Sequence, residues 1–130
     1  MRNLLSGIRT TLAAATTKTR GDEAERIAER FLVAQGLHVL ARNHRCRFGE
    51  IDLVMQDGDV VVFVEVRLRT SNAFGGALDS IHATKQKRLI AAAGHYLAGL
   101  RHTPPCRFDA ILLNELREAN VEWVKNIICS

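Results

Sequence analysis

The chain has 130 residues, 47% hydrophobic and 25% charged, with a formal net charge of +4. That suffices for one domain with a single core and is too apolar for disorder throughout. No apolar run approaches the roughly 20 residues that span a bilayer, and Cys46, Cys106 and Cys129 are too scattered for a disulfide framework or a zinc knuckle; the expectation is a soluble protein of a reducing cytoplasm, with no membrane partner.

Residues 1–20, MRNLLSGIRTTLAAATTKTR, contain no acid, and Arg2, Arg9, Lys18 and Arg20 all precede the first one, Asp22. The other fourteen Lys/Arg balance the fourteen acids, so the basic excess belongs to this segment and not to a uniformly basic surface. The segment reads as a flexible or weakly helical extension; it has no h-region with a convincing cleavage site. Residues 21–130 are expected to form one domain.

Gly21 to Gly36 predicts an amphipathic helix. Ala24, Ile27, Ala28, Phe31 and Leu32 recur at helical spacing, and Gly36 suits a C-terminal cap. HVLARN gives a strand at 38–43, and GEIDLVMQDGDVVVFVEVRLR (49–69) gives two more, joined by Asp57-Gly58 as a two-residue turn. TSNAFGGA (70–77) is a glycine-bearing loop. A second helix spans Ser80 to Leu100, with Ile81, Leu89, Ile90, Ala93, Tyr96 and Leu97 as its apolar positions. CRFDAILL (106–113) and VEWVKNII (121–128) complete the order α-β-β-β-α-β-β, an α/β (α+β) mixed sheet with flanking helices.

With Asp57-Gly58 as the loop, Val54 opposes Val61, Asp52 opposes Phe63, and Glu50 opposes Glu65. Side chains alternate with period 2. One face then carries Glu50, Asp52, Val54, Val61, Phe63, Glu65 and Arg67, and the other carries Ile51, Leu53, Met55, Val62, Val64 and Val66. The second face is hydrocarbon and must be core. On the first, directly opposed acids destabilise the strand pair unless a proton, a cation or an arginine intervenes. Two readings follow: a hard-cation site for Mg²⁺ or Mn²⁺, or an ion-pair network with Arg45, Arg47 and Arg67. A bulge would flip one strand's set.

The blocks RGDEAERIAERFL, ARNHRCRFGEIDLV, DGDVVVFVEVRLR, FGGALDSIHATKQKRLIAAAGHYL and RFDAILL resemble the YraN family of small bacterial proteins. That family is expected to adopt the restriction-endonuclease-like (Holliday-junction-resolvase-like) nuclease fold. The resemblance implies a site in which Asp52 is the motif aspartate, Glu65 the glutamate of Glu-x-Lys, and Glu25 the helix glutamate, although Ala24 stands where that block usually has glycine. Glu50 would be an outer carboxylate. Arg67 occupies the place of the motif lysine. Arginine supplies charge and donors but stays protonated, so it cannot serve as a general base; Lys85 is the substitute on the following helix.

The implied chemistry is Mg²⁺- or Mn²⁺-dependent hydrolysis of DNA phosphodiesters, with Asp52, Glu65 and Glu25 holding the metal and Arg67 steadying phosphate charge. Arg42, Arg45, Arg47, Arg69, Lys85, Lys87 and Arg88 are the candidates for gripping backbone phosphates, and such contacts are sequence-blind and salt-sensitive. Few aromatic residues are available for base stacking, which favours duplex or branched DNA. The alternative is a non-catalytic nucleic-acid-binding module that retains the fold, and a third class is an interaction domain whose acids form ion pairs only. A homodimer follows by analogy alone. Asp109 reads as a buried partner of an arginine. His44, His82, His95 and His102 lack ligand-like spacing and read as surface or capping residues, and Cys46 reads as a small side chain in a loop.

Overall fold

The computed structural model describes residues 19–68, 83–117 and 120–128. A helix over 19–34 (α1) leads into three antiparallel strands, His38–Cys46 (β1), Gly49–Asp57 (β2) and Val60–Leu68 (β3). The helix Ala83–Ala98 (α2) then returns the chain to Cys106–Leu113 (β4), parallel to β3, and Val121–Val124 (β5) pairs antiparallel with β4. The sheet order is β1-β2-β3-β4-β5. This is the mixed α+β architecture and element order expected from the sequence. Residues 1–18, Arg69 and the loop 70–77 lie outside the described residues.

α1 ends as its sequence dictates. Gly36 takes φ 98°, its N–H donates to Val33 O at 3.0 Å, and the Leu37 N–H donates to Leu32 O at 3.1 Å. That pair of bonds is a Schellman cap, which needs a left-handed residue at the first position past the helix. Leu37 is thereby turned into the core with Ala24, Ile27, Ala28 and Leu32, against Leu53, Met55, Val62, Val64, Ile111 and Leu113 of the sheet. Each fully buried aliphatic side chain there contributes about 1.5–3 kcal/mol. α2 packs through Leu89, Ala92 and Ala93, against Ile51, Val54, Val61 and Phe63 and against Ala110 and Leu112. Ile90 of the expected apolar stripe is instead 49% exposed, and Ala92 takes the buried position.

The hairpin register corrects the sequence reading by two residues. Asp57 pairs with Val60, so the loop is Gly58-Asp59, and Val54 opposes Phe63. Gly58 has φ 61° while Asp59 is not left-handed, the type II′ pattern, which wants glycine at the first loop position. Glu50 and Glu65 are therefore not opposed; continuing the register sets Asp52 against Glu65. Alternation also breaks in β2. Ile51 packs with Val54, Val61 and Phe63, not with Leu53 and Met55. Opposite this point, Asn43 of β1 has φ 50°, and the β1–β2 ladder pairs Arg42 with Leu53 and His44 with Ile51 but skips Asn43 and Asp52.

β5 is shorter than the expected 121–128. At its end Asn126 turns left-handed with φ 56°, and its N–H donates to Asp109 Oδ1 at 3.1 Å. Asp109 is fully buried and also accepts from Arg107 Nε (3.2 and 3.1 Å to its two oxygens) and Trp123 Nε1 (3.0 Å). It is the arginine-paired buried aspartate expected from the sequence.

Candidate functional site

The irregular start of β2 brings three carboxylates together. Both β2 and β3 run beyond Leu53 and Val64, yet their ladder stops at that pair. Past it, Asp52 Oδ2 accepts the Val66 N–H at 2.8 Å, so a carboxylate fills the role of a strand carbonyl. Ala24 anchors α1 in the core and carries Glu25 to the same place. Glu25, Glu50 and Asp52 can each offer an oxygen within 4.8 Å of the others. Glu50, expected as an outer group, thus stands in the same oxygen cluster as Glu25 and Asp52.

Asn43 is the residue that sequence reasoning missed. With its NH₂ group turned toward the acceptors, it donates to Glu50 Oε1 at 2.8 Å and to Glu25 Oε1 at 3.0 Å. Its left-handed backbone is tolerable because Asn, unlike most residues, visits that region. The only signal available in the sequence was an asparagine in a strand otherwise rich in arginine.

Glu65 lies apart from the oxygen trio but feels it. Only 4% of its side chain is exposed, and Oε1 is 3.3 Å from Lys85 Nζ and 3.4 Å from Arg67 Nε. Glu65 Oε2 and Arg67 Nε are nevertheless buried without a hydrogen-bond partner. Such orphaned groups are costly in a native interior and call for a ligand or a water. Lys85 thus approaches Glu65 as closely as Arg67 does.

The electrostatics are those of an under-neutralised site. Burial, then the neighbouring Asp52 charge, pushes Glu65 up to about 7. Glu25 is raised to about 7 by burial first and Asp52 second, with Glu50 adding to the rise and the Asn43 hydrogen bond opposing it. Asp52 is raised by burial, against the Val66 N–H, and Glu50 raises it further. The contact between Glu25 and Asp52 raises the first and lowers the second. Three hard carboxylate oxygens that can lie within 4.8 Å of one another are a donor set that suits a divalent cation such as Mg²⁺ or Mn²⁺.

The basic candidates divide into engaged and exposed. Arg42 makes a bidentate pair with Glu29, at 2.6 and 3.0 Å, beside an open cleft of about 470 Å³ whose walls include Asp22, Glu25 and Asn43. Arg45 Nε is 3.5 Å from Glu50, and the Arg47 guanidinium stacks 4.8 Å from the Phe48 ring centre. Lys87 and Arg88 are exposed. α2 passes close to the β1–β2 turn, where a side chain at Gly49 would meet Arg88 Cβ at 3.6 Å. Arg45 borders the acidic cluster, whereas Arg69 falls outside the described residues.

His44 and Cys46 also differ from expectation. Cys46 belongs to β1 rather than a loop, and with His44 of the same strand and His95 of α2 it can bring its donor atom into a set that fits within 4.8 Å. Linear spacing could not show this, because His44 and His95 are 51 residues apart.

Among the described residues, no helix is long and apolar enough to cross a membrane. Residues 24–113 match the family described as "Uncharacterised protein family UPF0102". A UPF0102 protein of Methylobacillus flagellatus is 56% identical over 110 residues, 84% of this chain and 96% of its own. One from Nitrosomonas europaea is 56% identical over 107 residues (82% and 91%), and one from Pseudomonas putida 50% over 119 residues (88% and 97%). The chain belongs to the UPF0102 family, the YraN family that its motif blocks resemble.

Proposed function

We propose that this protein is a divalent-cation-dependent endonuclease that hydrolyses DNA phosphodiesters, branched or repair intermediates among them. The observation that carries the reading is the trio Glu25, Glu50 and Asp52, set near the buried Glu65 where the β2–β3 ladder stops. Asp52, Glu25 and Glu50 would hold the cation, with Glu65 adjoining. A bound Mg²⁺ or Mn²⁺ supplies Lewis acidity at the phosphate and a more acidic water.

The chain's own residues do the rest. The Val66 N–H fixes one oxygen of Asp52, and the Asn43 amide aligns Glu25 with Glu50. Lys85, 3.3 Å from Glu65, is in reach of a phosphate oxygen beside that glutamate and takes over the part of the motif lysine. Arg67 contributes fixed positive charge to the developing phosphate charge. Arg45, Arg47, Lys87 and Arg88 supply backbone contacts that weaken steeply with salt.

A non-catalytic nucleic-acid-binding module is the second reading, favoured by one observation: the strand position of the motif lysine is an arginine that cannot release a proton. Incubation with branched, flapped and linear DNA in Mn²⁺ separates the two. Cleavage by the wild type that is lost in both Asp52→Asn and Glu65→Gln supports the nuclease. Binding without cleavage, or cleavage that survives both changes, sinks it.

A further inference from the structure

A second cluster of metal-ligating side chains lies outside the carboxylate site. His44 and Cys46 are two residues apart on β1, so their side chains share a face. They meet His95, in the last turn of α2. His44 Nε2 is 3.1 Å from His95 Nδ1, and Cys46 completes a set whose three donor atoms fit within 4.8 Å. The Cys46 thiol is free and half-buried.

We propose that His44, Cys46 and His95 form a binding site for a soft or borderline divalent metal, Zn²⁺ foremost, which joins the end of β1 to the end of α2. Two imidazoles and a thiolate are the donor set that selects Zn²⁺ over Mg²⁺ or Mn²⁺. Tetrahedral zinc with Zn–N near 2.0–2.1 Å has a ligand-to-ligand edge of about 3.3 Å, and the two ring nitrogens are already within a few tenths of an ångström of that. Without metal the same approach is an imidazole–imidazole hydrogen bond; metal binding shifts that proton to the ring's other nitrogen and releases the Cys46 thiol proton to solvent. The His44 ring is braced from outside the set. Tyr96 stands edge-on to it at 5.3 Å and is itself packed edge-on against Phe63 at 5.9 Å. Such support holds a ligand ring in a fixed orientation. His95 is exposed, and with three protein donors the fourth position falls to water.

The test uses the full chain, with any affinity tag removed and thiols kept reduced, titrated with Co²⁺ as a spectroscopic stand-in for Zn²⁺. With excess Mg²⁺ present to occupy the carboxylate site, the expected result is a thiolate-to-metal charge-transfer band, with tetrahedral ligand-field bands, that saturates at one equivalent and serves as the measure of uptake. Cys46→Ser should abolish the charge-transfer band, and His95→Ala should weaken uptake by tenfold or more. Asp52→Asn should leave the charge-transfer band unchanged, because no carboxylate produces it, which keeps the outcome separate from that of the carboxylate site. The absence of the band in folded wild type overturns the site. So does a band that survives Cys46→Ser, since it then arises from Cys106 or Cys129, and so does undiminished uptake by His95→Ala.

Discussion

Asp109 and Asp52 are aspartates on the inner strands of one sheet, and their surroundings treat them in opposite ways. Asp109 on β4 is enclosed by donors: Arg107, the Trp123 indole and the Asn126 N–H all point at it, and Arg107 also reaches Asp57 at 2.9 Å. Its charge is fully met by the protein. Asp52 on β2 receives one backbone N–H, while Glu50 adds like charge. A carboxylate whose partners are all internal is structural, because nothing else is needed to keep it. A buried carboxylate whose neighbours are themselves acidic is left to favour its protonated form, as the raised pKa of Asp52 records.

The largest effect expected from breaking this contrast is at the structural aspartate. Asp109→Ala leaves Arg107 with a buried, half-compensated charge and strands the Trp123 and Asn126 donors. Stability should fall by about 3–5 kcal/mol, read from urea unfolding. Asp52→Asn in metal-free protein should do the reverse in sign, holding or raising stability because it removes repulsion. Equal losses for the two variants would erase the distinction between the sites.

Acidity sharpens the comparison next. Glu25 and Glu65 have folded-state values of about 7 against an ordinary 4.5, so the folded protein keeps protons that the unfolded chain has released. Their contribution is full below about pH 4.5 and is lost as pH rises toward about 7. Tm should therefore fall by a few degrees across that window, and Mn²⁺ should restore it at the upper end. Glu25→Gln should flatten the decline. A Tm that rises through the window, or one indifferent to Mn²⁺ above it, would contradict the cation reading of the cluster.

The smallest effect separates backbone from side chain at Asn43. Asn43→Ala loses both hydrogen bonds and strains a left-handed residue, costing about 1–2 kcal/mol and roughly tenfold in Mn²⁺ affinity by calorimetry. Asn43→Gly relieves the strain but not the lost donors, so it should recover stability and leave the affinity low. Recovery of affinity in the glycine variant would mean that Asn43 acts only through its backbone.

The sequence revealed the hairpin but not its phase. Asp57-Gly58 marks a turn, yet which loop position takes the left-handed φ depends on how the strands twist together, and that choice moved every opposed pair by two. The hydrocarbon face of Leu53, Met55, Val62 and Val64 was legible from alternation. The break that sends Ile51 to the α2 side was not, because it arises from Asn43 on a neighbouring strand. β5 was overextended for a similar reason: its apolar pattern runs on past Val124, but Asp109 captures the Asn126 N–H. Residues joined by local periodicity could be read in advance, whereas those joined only by tertiary approach, Asn43 to Glu25 or His44 to His95, could not.

The irregular β1 has a consequence for how these chains meet one another. It is an outer strand of the sheet, nine residues long, and a straight outer strand of that length offers unpaired N–H and C=O groups to any passing chain. The register shift between Val39 and Ala41 and the left-handed turn at Asn43 interrupt that row, and the exposed Arg42 and Arg45 charge its rim. The distortion that aims an amide at two carboxylates also spoils the template for adding a strand. Any association between copies would then be built from side-chain surfaces, not by continuing the sheet across β1.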